Sequence, residues 1–458
     1  MTGMRVAVVG GGLSGLAAAV RLRELGAAPT LFEAAGEVGG VVRSVRHGEW
    51  LVEAGPCMAA EPPADVRALL DRAGVGGRTV RADPVAANRC IVRDGRPVDL
   101  PHTTAEFRSS ALLSLAGQLR MLKERLIPAS APVEETVEAF ARRRFGDEVA
   151  ERMFDPLLAS TSSGRSDQAL ARYAFPAVVG HERGSGSGLQ GGARERMQAR
   201  RRARSAPSGS WSCEGGMQGL PRQLAATLPD VVTGAPVRAI QVSATGATVM
   251  AEGAPPRAFD ALVLALPAPA YQQLECIGIA PATLDAVATL PCAGIAAVHL
   301  GYARQQLGRL PAAGRILVPA VEGSPVLSVV IPSAGFTDRA PADHLLLTLF
   351  LGGARRPELL TLDDAELVDR AATALAGWID VSGAPVLAAV SRWDAALPQA
   401  VAGHTARLQA AADAEAAAPQ VALCGAWRDG LSVSEVLLGG LRSAERLIGR
   451  IEGMAATP

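Results

Sequence analysis

The sequence predicts an α/β protein: a discontinuous Rossmann-like dinucleotide-binding domain, an α+β substrate domain and a helical insertion. Three observations carry this expectation. An apolar run from Val6 to Val9 opens into a glycine-rich turn and an alanine-rich helix. A second apolar run closes on Glu33, 18 residues after Gly15. Strand-and-helix texture of the same kind returns near residue 206 and again near 408, after long stretches of different pattern.

Each element has its reason. In the turn G-G-G-L-S-G, Gly10 permits the tight bend, Gly12 lets backbone approach a pyrophosphate, and Gly15 lets helix and strand pack closely. Gly11, Leu13 and Ser14 complete the loop, and the following helix turns unpaired N–H groups and a partial positive charge toward the phosphates. Glu33, with Ala34 beside it, is spaced to accept from an adenosine ribose hydroxyl. Residues 1–85 are thus the first part of the nucleotide domain. Residues 86–110 open the substrate domain, and 89–101 read as a hairpin around a D-G turn.

Residues 111–205 read as the helical insertion. Leu112, Leu113, Leu115, Leu119, Met121 and Leu122 offer apolar faces, and 133–146 has an acidic start and a basic, glycine-terminated end. The arginines 194, 196, 200, 201, 202 and 204 read either as a solvated helix end with a loop or as a basic patch facing a membrane or partner. Residues 206–268 return to the nucleotide domain, 269–407 to the substrate domain, and 408–458 supply a strand, a turn and a closing helix.

The bulk properties narrow the function. At 458 residues and 47.1 kDa the chain can bury a large core. A formal net charge of zero supplies no global field to recruit nucleic acid. Six scattered cysteines and six scattered histidines argue against a disulfide framework and against any metal site. The first strand follows the N-terminus too closely for a signal peptide, and no apolar run reaches the ~18 residues of a membrane span. The expectation is a cytoplasmic chain, either free or peripheral on the inner face of the cytoplasmic membrane.

A nucleotide site assembled from both ends of a chain suits a cofactor retained through turnover, which favours non-covalently bound FAD. If residues 431–435 form the first turn of the closing helix, its N–H groups would stabilise negative charge on a reduced flavin. The sequence resembles the FAD-dependent amine oxidase superfamily in G-G-G-L-S-G-L, V-G-G-V-V-R-S, E-G-G-M-Q-G-L, the strand at Val237 and G-A-W-R-D-G. Within it, the stretches N-R-C-I-V-R-D-G-R-P-V-D-L-P, F-D-P-L-L-A-S-T-S-S-G, R-W-D-A-A-L-P-Q and G-L-S-V-S-E-V-L resemble the protoporphyrinogen oxidases.

The resemblance implies residue roles. Residues 10–15 would hold the pyrophosphate and Glu33 the ribose. Gly40, Val41 and Val42 would lie near the flavin, with Gly55, Pro56, Cys57 and Met58 along the isoalloxazine. Val237 would offer backbone groups to adenine, and Ala426, Leu431, Ser432 and Val433 would close the flavin site. Trp393 stands in a motif that often flanks the cofactor; a core tryptophan is the alternative. Arg89 would hold a substrate propionate through its fixed-charge guanidinium, and Ser160 and Gly164 belong to a loop on the pocket wall.

The implied reaction is oxidation of protoporphyrinogen IX to protoporphyrin IX in haem biosynthesis. Hydride would pass from the macrocycle to the flavin three times, with molecular oxygen taking six electrons and giving three hydrogen peroxides. No residue stands out as a general base. An amine substrate is disfavoured because the sole lysine, Lys123, lies in the insertion, and none of Tyr173, Tyr271 and Tyr302 is in the final segment. No second G-x-G-x-x-G follows a strand to bind NADPH.

Ser160, Ser163 and Arg165 depart from the family's loop, and Ala400 from its Q-Y pair. Coproporphyrinogen III therefore stays open as substrate, with Arg165 serving extra carboxylates. So do another large apolar metabolite, and a non-catalytic flavoprotein that binds a tetrapyrrole or a partner enzyme of haem synthesis.

Overall fold

A computed structural model describes residues 3–455 apart from 102, 131, 133, 190 and 193–208. The arginines at 194, 196, 200, 201, 202 and 204 lie outside the described residues. Three larger sheets, two small ones of two and three strands, and a helical cluster make up the architecture of the described residues.

The first sheet has five parallel strands in the order Val231–Val232, Ala28–Phe32, Arg5–Val9, Ala261–Leu264, Val421–Leu423. Its strands come from three separated stretches of chain. The inner strands are apolar except for exposed Arg5 and buried Thr30, as suits strands covered on both faces. One face packs on the helix Leu13–Glu24 and on the long last helix, Val433–Ala455, through Leu16, Val20, Leu437, Leu441, Ala444 and Leu447. These two helices cross at backbone contact. A Cβ on Gly440 would come 2.2 Å from the carbonyl oxygen of Ser14. A four-stranded sheet (Arg257–Phe259, Gly246–Ala251, Val237–Ser243, Glu275–Ile277) contributes Ile240, Val242 and Val249 to the core on the other face.

The third sheet has seven strands in the order Leu387–Pro398, Cys292–Ala303, His344–Gly352, Val326–Val330, Arg315–Leu317, Arg89–Arg93, Arg96–Asp99. Its pairs are antiparallel except for Arg315–Leu317 against Arg89–Arg93. The hairpin at its edge turns on Asp94 and Gly95, both at positive φ. Alternation divides the side chains. Val92, Val298, Leu300, Ile316, Leu347 and Leu349 pack on the helix Asp364–Ala376, which a capping box at Asp363 and Glu366 starts.

The opposite face carries Arg89, Ile91, Arg315, Leu317, Thr348 and His299. It turns toward the helical cluster at one end, where Ile91 and Leu317 meet Leu112, Met153 and Leu157. At its other end Trp50 and Val52, which precede the segment 54–58, pack on Leu346.

The helical cluster has its own aromatic core, in which Phe140, Phe145, Phe154 and Phe175 contact one another edge-on or stacked. Arg144, with none of its surface exposed, ion-pairs with Glu124 and donates to the carbonyls of Ile127 and Gly186. A π-helical stretch, Ala150–Phe154, leads into the helix Asp155–Ser162. Asp155 pins that helix to the seven-stranded sheet by accepting from Arg355 at 2.7 Å and from the Ala320 N–H at 2.9 Å.

Candidate active site

The nucleotide end of the site forms at the C-terminal ends of parallel strands, where open α/β sheets take their ligands. The chain leaves Val9 and turns at Gly10, whose φ is +110°. A Cβ there would sit 2.3 Å from the Ala265 carbonyl oxygen, and a Cβ on Gly15 would sit 1.9 Å from that of Gly10. Gly12 differs from both. Its φ of −71° suits any residue, and nothing lies within 4 Å of where a Cβ would project. The helix that follows has no side-chain cap and no acid in its first turn. Its leading amides therefore face that open space with their partial positive charge. Open space, uncapped amides and an adjacent acid fit an FAD pyrophosphate and ribose.

The acid is Glu33. Its Oε2 accepts from the Gly11 N–H at 2.7 Å and its Oε1 from the Ala35 N–H at 2.8 Å, while each oxygen keeps a lone pair for a ribose hydroxyl. Ala34 is exposed beside it. The N–H groups of Gly234 and Ala235 donate to the carbonyls of Ala35 and Glu33, which brings half-buried Val237 alongside.

Farther along, the Gly39 N–H donates to the Gly11 carbonyl at 2.8 Å, so the loop carrying Gly40, Val41 and Val42 lies against the glycine turn. Val42 is buried, whereas Val41 is 41% exposed, an uncovered apolar side chain beside the open space. Gly55 abuts this loop, since a Cβ on it would meet the Val41 carbonyl oxygen at 1.9 Å. Pro56, Cys57 and Met58 follow, each half-buried. Burial pushes the Cys57 thiol up to about 11, so it stays protonated and is no nucleophile at neutral pH.

Trp393 donates its indole N–H to the Ala54 carbonyl at 2.8 Å and is half-buried. It ties the seven-stranded sheet to the 54–58 segment as well as filling core. Arg43 places its guanidinium 5.8 Å from the Trp393 ring centre. Sequence reasoning passed over this arginine, although it stands inside the V-V-R-S motif. Just before the segment, buried Glu53 accepts from Ser44 Oγ at 2.6 Å and from the Met217 N–H at 2.8 Å, and burial pushes its carboxyl up to about 7.

The closing helix departs from expectation. It begins at Val433, so Leu431 and Ser432 precede it. The reason is a capping box: Ser432 Oγ accepts from the Glu435 N–H at 3.2 Å, and Glu435 accepts from the Ser432 N–H at 3.0 Å. The box leaves the amides of Val433 and Ser434 for a ligand. Ala426 opens the short helix Ala426–Asp429, after Gly425 at φ +143°.

On the substrate side, Arg89 is exposed at the head of its strand. Ser160 offers its carbonyl rather than its hydroxyl: the hydroxyl donates to Leu157 within its own helix, while the carbonyl accepts from Arg315 at 3.2 Å. Gly164 is buried, with Gln399 Oε1 only 2.7 Å from where its Cβ would lie, which makes it a packing contact. Ser163 takes the left-handed conformation at the helix end, φ +53°. Arg165 is spoken for, since its guanidinium is bidentate on Asp167 at 2.7 and 3.0 Å. Asp167 thus competes, across an exposed pair, with the extra-carboxylate role expected of it.

Lys123 is exposed in the insertion, and Tyr271 and Tyr302 are buried in cores away from this face. His299 is buried between Thr348 Oγ1 at 3.0 Å and Ser391 Oγ at 3.2 Å, and burial pushes its pKa down to about 3. It is a neutral structural imidazole. A shallow concavity of about 310 Å³ lined by Arg5, Thr30, Asp230 and Arg257 lies at the N-terminal ends of the parallel strands, the wrong end for this chemistry.

The chain resembles known proteins along nearly its whole length. The family described as flavin containing amine oxidoreductase matches residues 13–448. Protoporphyrinogen oxidase of Bos taurus is 30% identical, with 98% of this chain and 99% of that one covered. Coproporphyrinogen III oxidase of Mycobacterium bovis is 29% identical and covered over 100% of both chains. A crystal structure of a protein from Exiguobacterium sp. 255-15 superposes with a TM-score of 0.81 at 22% identity, covering 98% of this chain and 99% of that one, which shows the fold. With the family match running from Leu13 through the flavin-side loop and into the closing helix, the chain belongs to the flavin containing amine oxidoreductase family and is an FAD-dependent oxidoreductase.

Proposed function

We propose that the protein oxidises a porphyrinogen, with protoporphyrinogen IX as substrate and molecular oxygen as final electron acceptor. The observation that carries this reading is the makeup of the sheet face beside the cofactor cradle. Half-buried Phe350 and Trp393, packed on Leu327, offer apolar surface suited to a tetrapyrrole, while fully buried Ile91 and Leu317 seat this face against the helical cluster. At its margin stands Arg89, a cation suited to the substrate's carboxylate tail. Similarity to protoporphyrinogen and coproporphyrinogen oxidases along the whole chain supports the same class.

FAD, when bound, supplies the hydride acceptor. The chain's own part is positional. Residues 10–15 and Glu33 hold the nucleotide, residues 40–42 and 55–58 flank the flavin, and Val433 and Ser434 offer amides to it. The sheet wall excludes water and orients the ring. No described side chain at the site is placed as a general base, and a macrocycle whose protons rearrange with solvent does not need one. The five-stranded sheet is the one all-parallel sheet among the described residues, and it supports one dinucleotide. This favours oxygen over a nicotinamide as the acceptor.

The test adds anaerobically prepared protoporphyrinogen IX and coproporphyrinogen III, separately, to FAD-loaded protein in air. Porphyrin fluorescence above the autoxidation blank, with three peroxides per porphyrin, is expected for the first substrate. Preference for the second would reassign the substrate. No fluorescence with either rejects the class, leaving another apolar metabolite or a non-catalytic tetrapyrrole carrier that docks on a haem-pathway enzyme.

A peripheral membrane contact on the cytoplasmic face is a second part of the proposal. Among the described residues no helix is long and apolar enough to cross a membrane. Leu115, Leu119, Leu122 and Leu126 are 73, 53, 53 and 82% exposed, at spacings that put them on one side of the helix Leu115–Leu122 and its continuation. Lys123 and Arg125 are exposed among them, which suits an anionic lipid surface. Flotation with anionic vesicles is expected to carry the protein, and the double substitution Leu119→Ser and Leu122→Ser to release it. Flotation unchanged by that pair would reject this surface.

A further inference from the structure

Arg315 carries no sequence motif that marks it as a site residue. Its strand pairs in parallel register with the strand of Arg89, so that Arg315 lies opposite Arg89, Ile316 opposite Cys90, and Leu317 opposite Ile91. Registered partners in a parallel pair project to the same face, and the strands stand about 4.8 Å apart. The same register sends Ile91 and Leu317 into the apolar contact with Leu112. Both guanidiniums therefore rise on the wall side of the sheet, next to one another.

Neither has a carboxylate partner among the described residues. Arg315 spends one N–H on the Ser160 carbonyl at 3.2 Å, which leaves four of its five donors. It is also the first among the charged groups that act on Cys57, ahead of Glu53 and Arg339, in the segment beside the cofactor cradle. Burial pushes the Arg315 guanidinium below its usual range; the nearby Cys57 pulls it back up, and Arg89 pushes it down again. Two like charges on adjacent strands repel, and an anion set between them relieves that repulsion.

We propose that Arg89 and Arg315 form a two-guanidinium subsite that clamps a pair of neighbouring carboxylates on the substrate, Arg315 being the member nearer the cofactor segment. The proposal rests on the porphyrinogen reading for its ligand. The adjacent propionates of protoporphyrinogen supply such a pair.

The test uses FAD-loaded wild type, Arg315→Met and Arg315→Lys, with protoporphyrinogen IX and its dimethyl ester. Binding of protoporphyrin IX and its dimethyl ester is measured alongside by fluorescence titration. For the diacid, Arg315→Met is expected to raise KM and the porphyrin Kd by about 10-fold or more, as loss of a charge-assisted hydrogen bond should, with kcat within about threefold. Arg315→Lys should recover part of the loss. For the diester, wild type and variants should be alike.

Unchanged diacid KM and Kd in a folded, flavin-loaded Arg315→Met would overturn the proposal. So would equal losses on diacid and diester, which would make Arg315 a strut for the Ser160 helix. Failure of wild type to oxidise either form sinks the porphyrinogen reading instead. The binding titration still decides whether Arg315 recognises carboxylates.

Discussion

The glycine turn and the substrate wall solve the same problem, holding a large anionic ligand, with opposite resources. The turn uses neutral backbone: Gly10 and Gly15 shape the bend, Gly12 keeps it open, helix amides supply partial charge, and Glu33 stands 18 residues beyond Gly15 in one strand-helix-strand unit. The wall uses full charges that the chain brings together from far apart, Arg89 and Arg315, whose neighbourhood depends on the register of a seven-stranded sheet. The difference shows which kind of site a sequence reveals. Spacing within one supersecondary unit fixes geometry locally, whereas pairing between distant strands does not exist until the sheet forms.

Substitutions can sharpen or break this comparison. The largest effect is expected at Gly12. Gly12→Val projects into open space, so apoprotein stability should hold, while FAD affinity should fall by about 100-fold as the added atoms meet the pyrophosphate. Thermal melting of the apoprotein and calorimetric titration with FAD read the two separately. Normal FAD affinity would show that the turn does not face the cofactor.

Next comes Glu33→Gln, which keeps the shape and loses the charge. FAD affinity should drop by about 10-fold, since a charge-assisted bond becomes a neutral one. On the wall, Arg89→Ala should raise KM by about fivefold with less change in kcat, because a remote carboxylate is held alike before and during hydride transfer. A fall in kcat with KM unchanged would move Arg89 to the reacting centre.

The smallest effect concerns His299 on the same sheet face. Its folded pKa is depressed to about 3, so its contribution to stability is present above the unfolded value of about 6.5 and is lost as pH falls between those values. Urea midpoints at pH 7.5 and 5.5 should reveal a loss of about 1 kcal/mol in wild type. His299→Gln should shrink that difference. An undiminished pH dependence would assign it to other groups, His404 among them, whose pKa burial pushes down to about 4.

Much of the fold was legible because its signals are local. The D-G turn of the 89–99 hairpin, the glycine turn and the acid at the end of the second strand each need only neighbours in sequence. Returning strand-and-helix texture near residues 206 and 408 was enough to assign the distant 261–264 and 421–423 strands to the same domain as the first. Where sequence reading fell short, a competing local interaction or a long-range pairing was responsible. The S-V-S-E spacing moved the start of the last helix to Val433. Asp167, two residues from Arg165, claims that guanidinium. Arg315 carries no motif at all, and only strand pairing places it beside Arg89.

The backbone crossing of Gly440 over Ser14 has a consequence for biogenesis. A nascent chain acquires its glycine turn within the first tenth of synthesis, yet the helix that braces it reaches the fold only after everything before residue 433 has been made. Stable retention of the flavin must therefore wait until translation has passed that helix, and ribosome-bound intermediates should remain free of it.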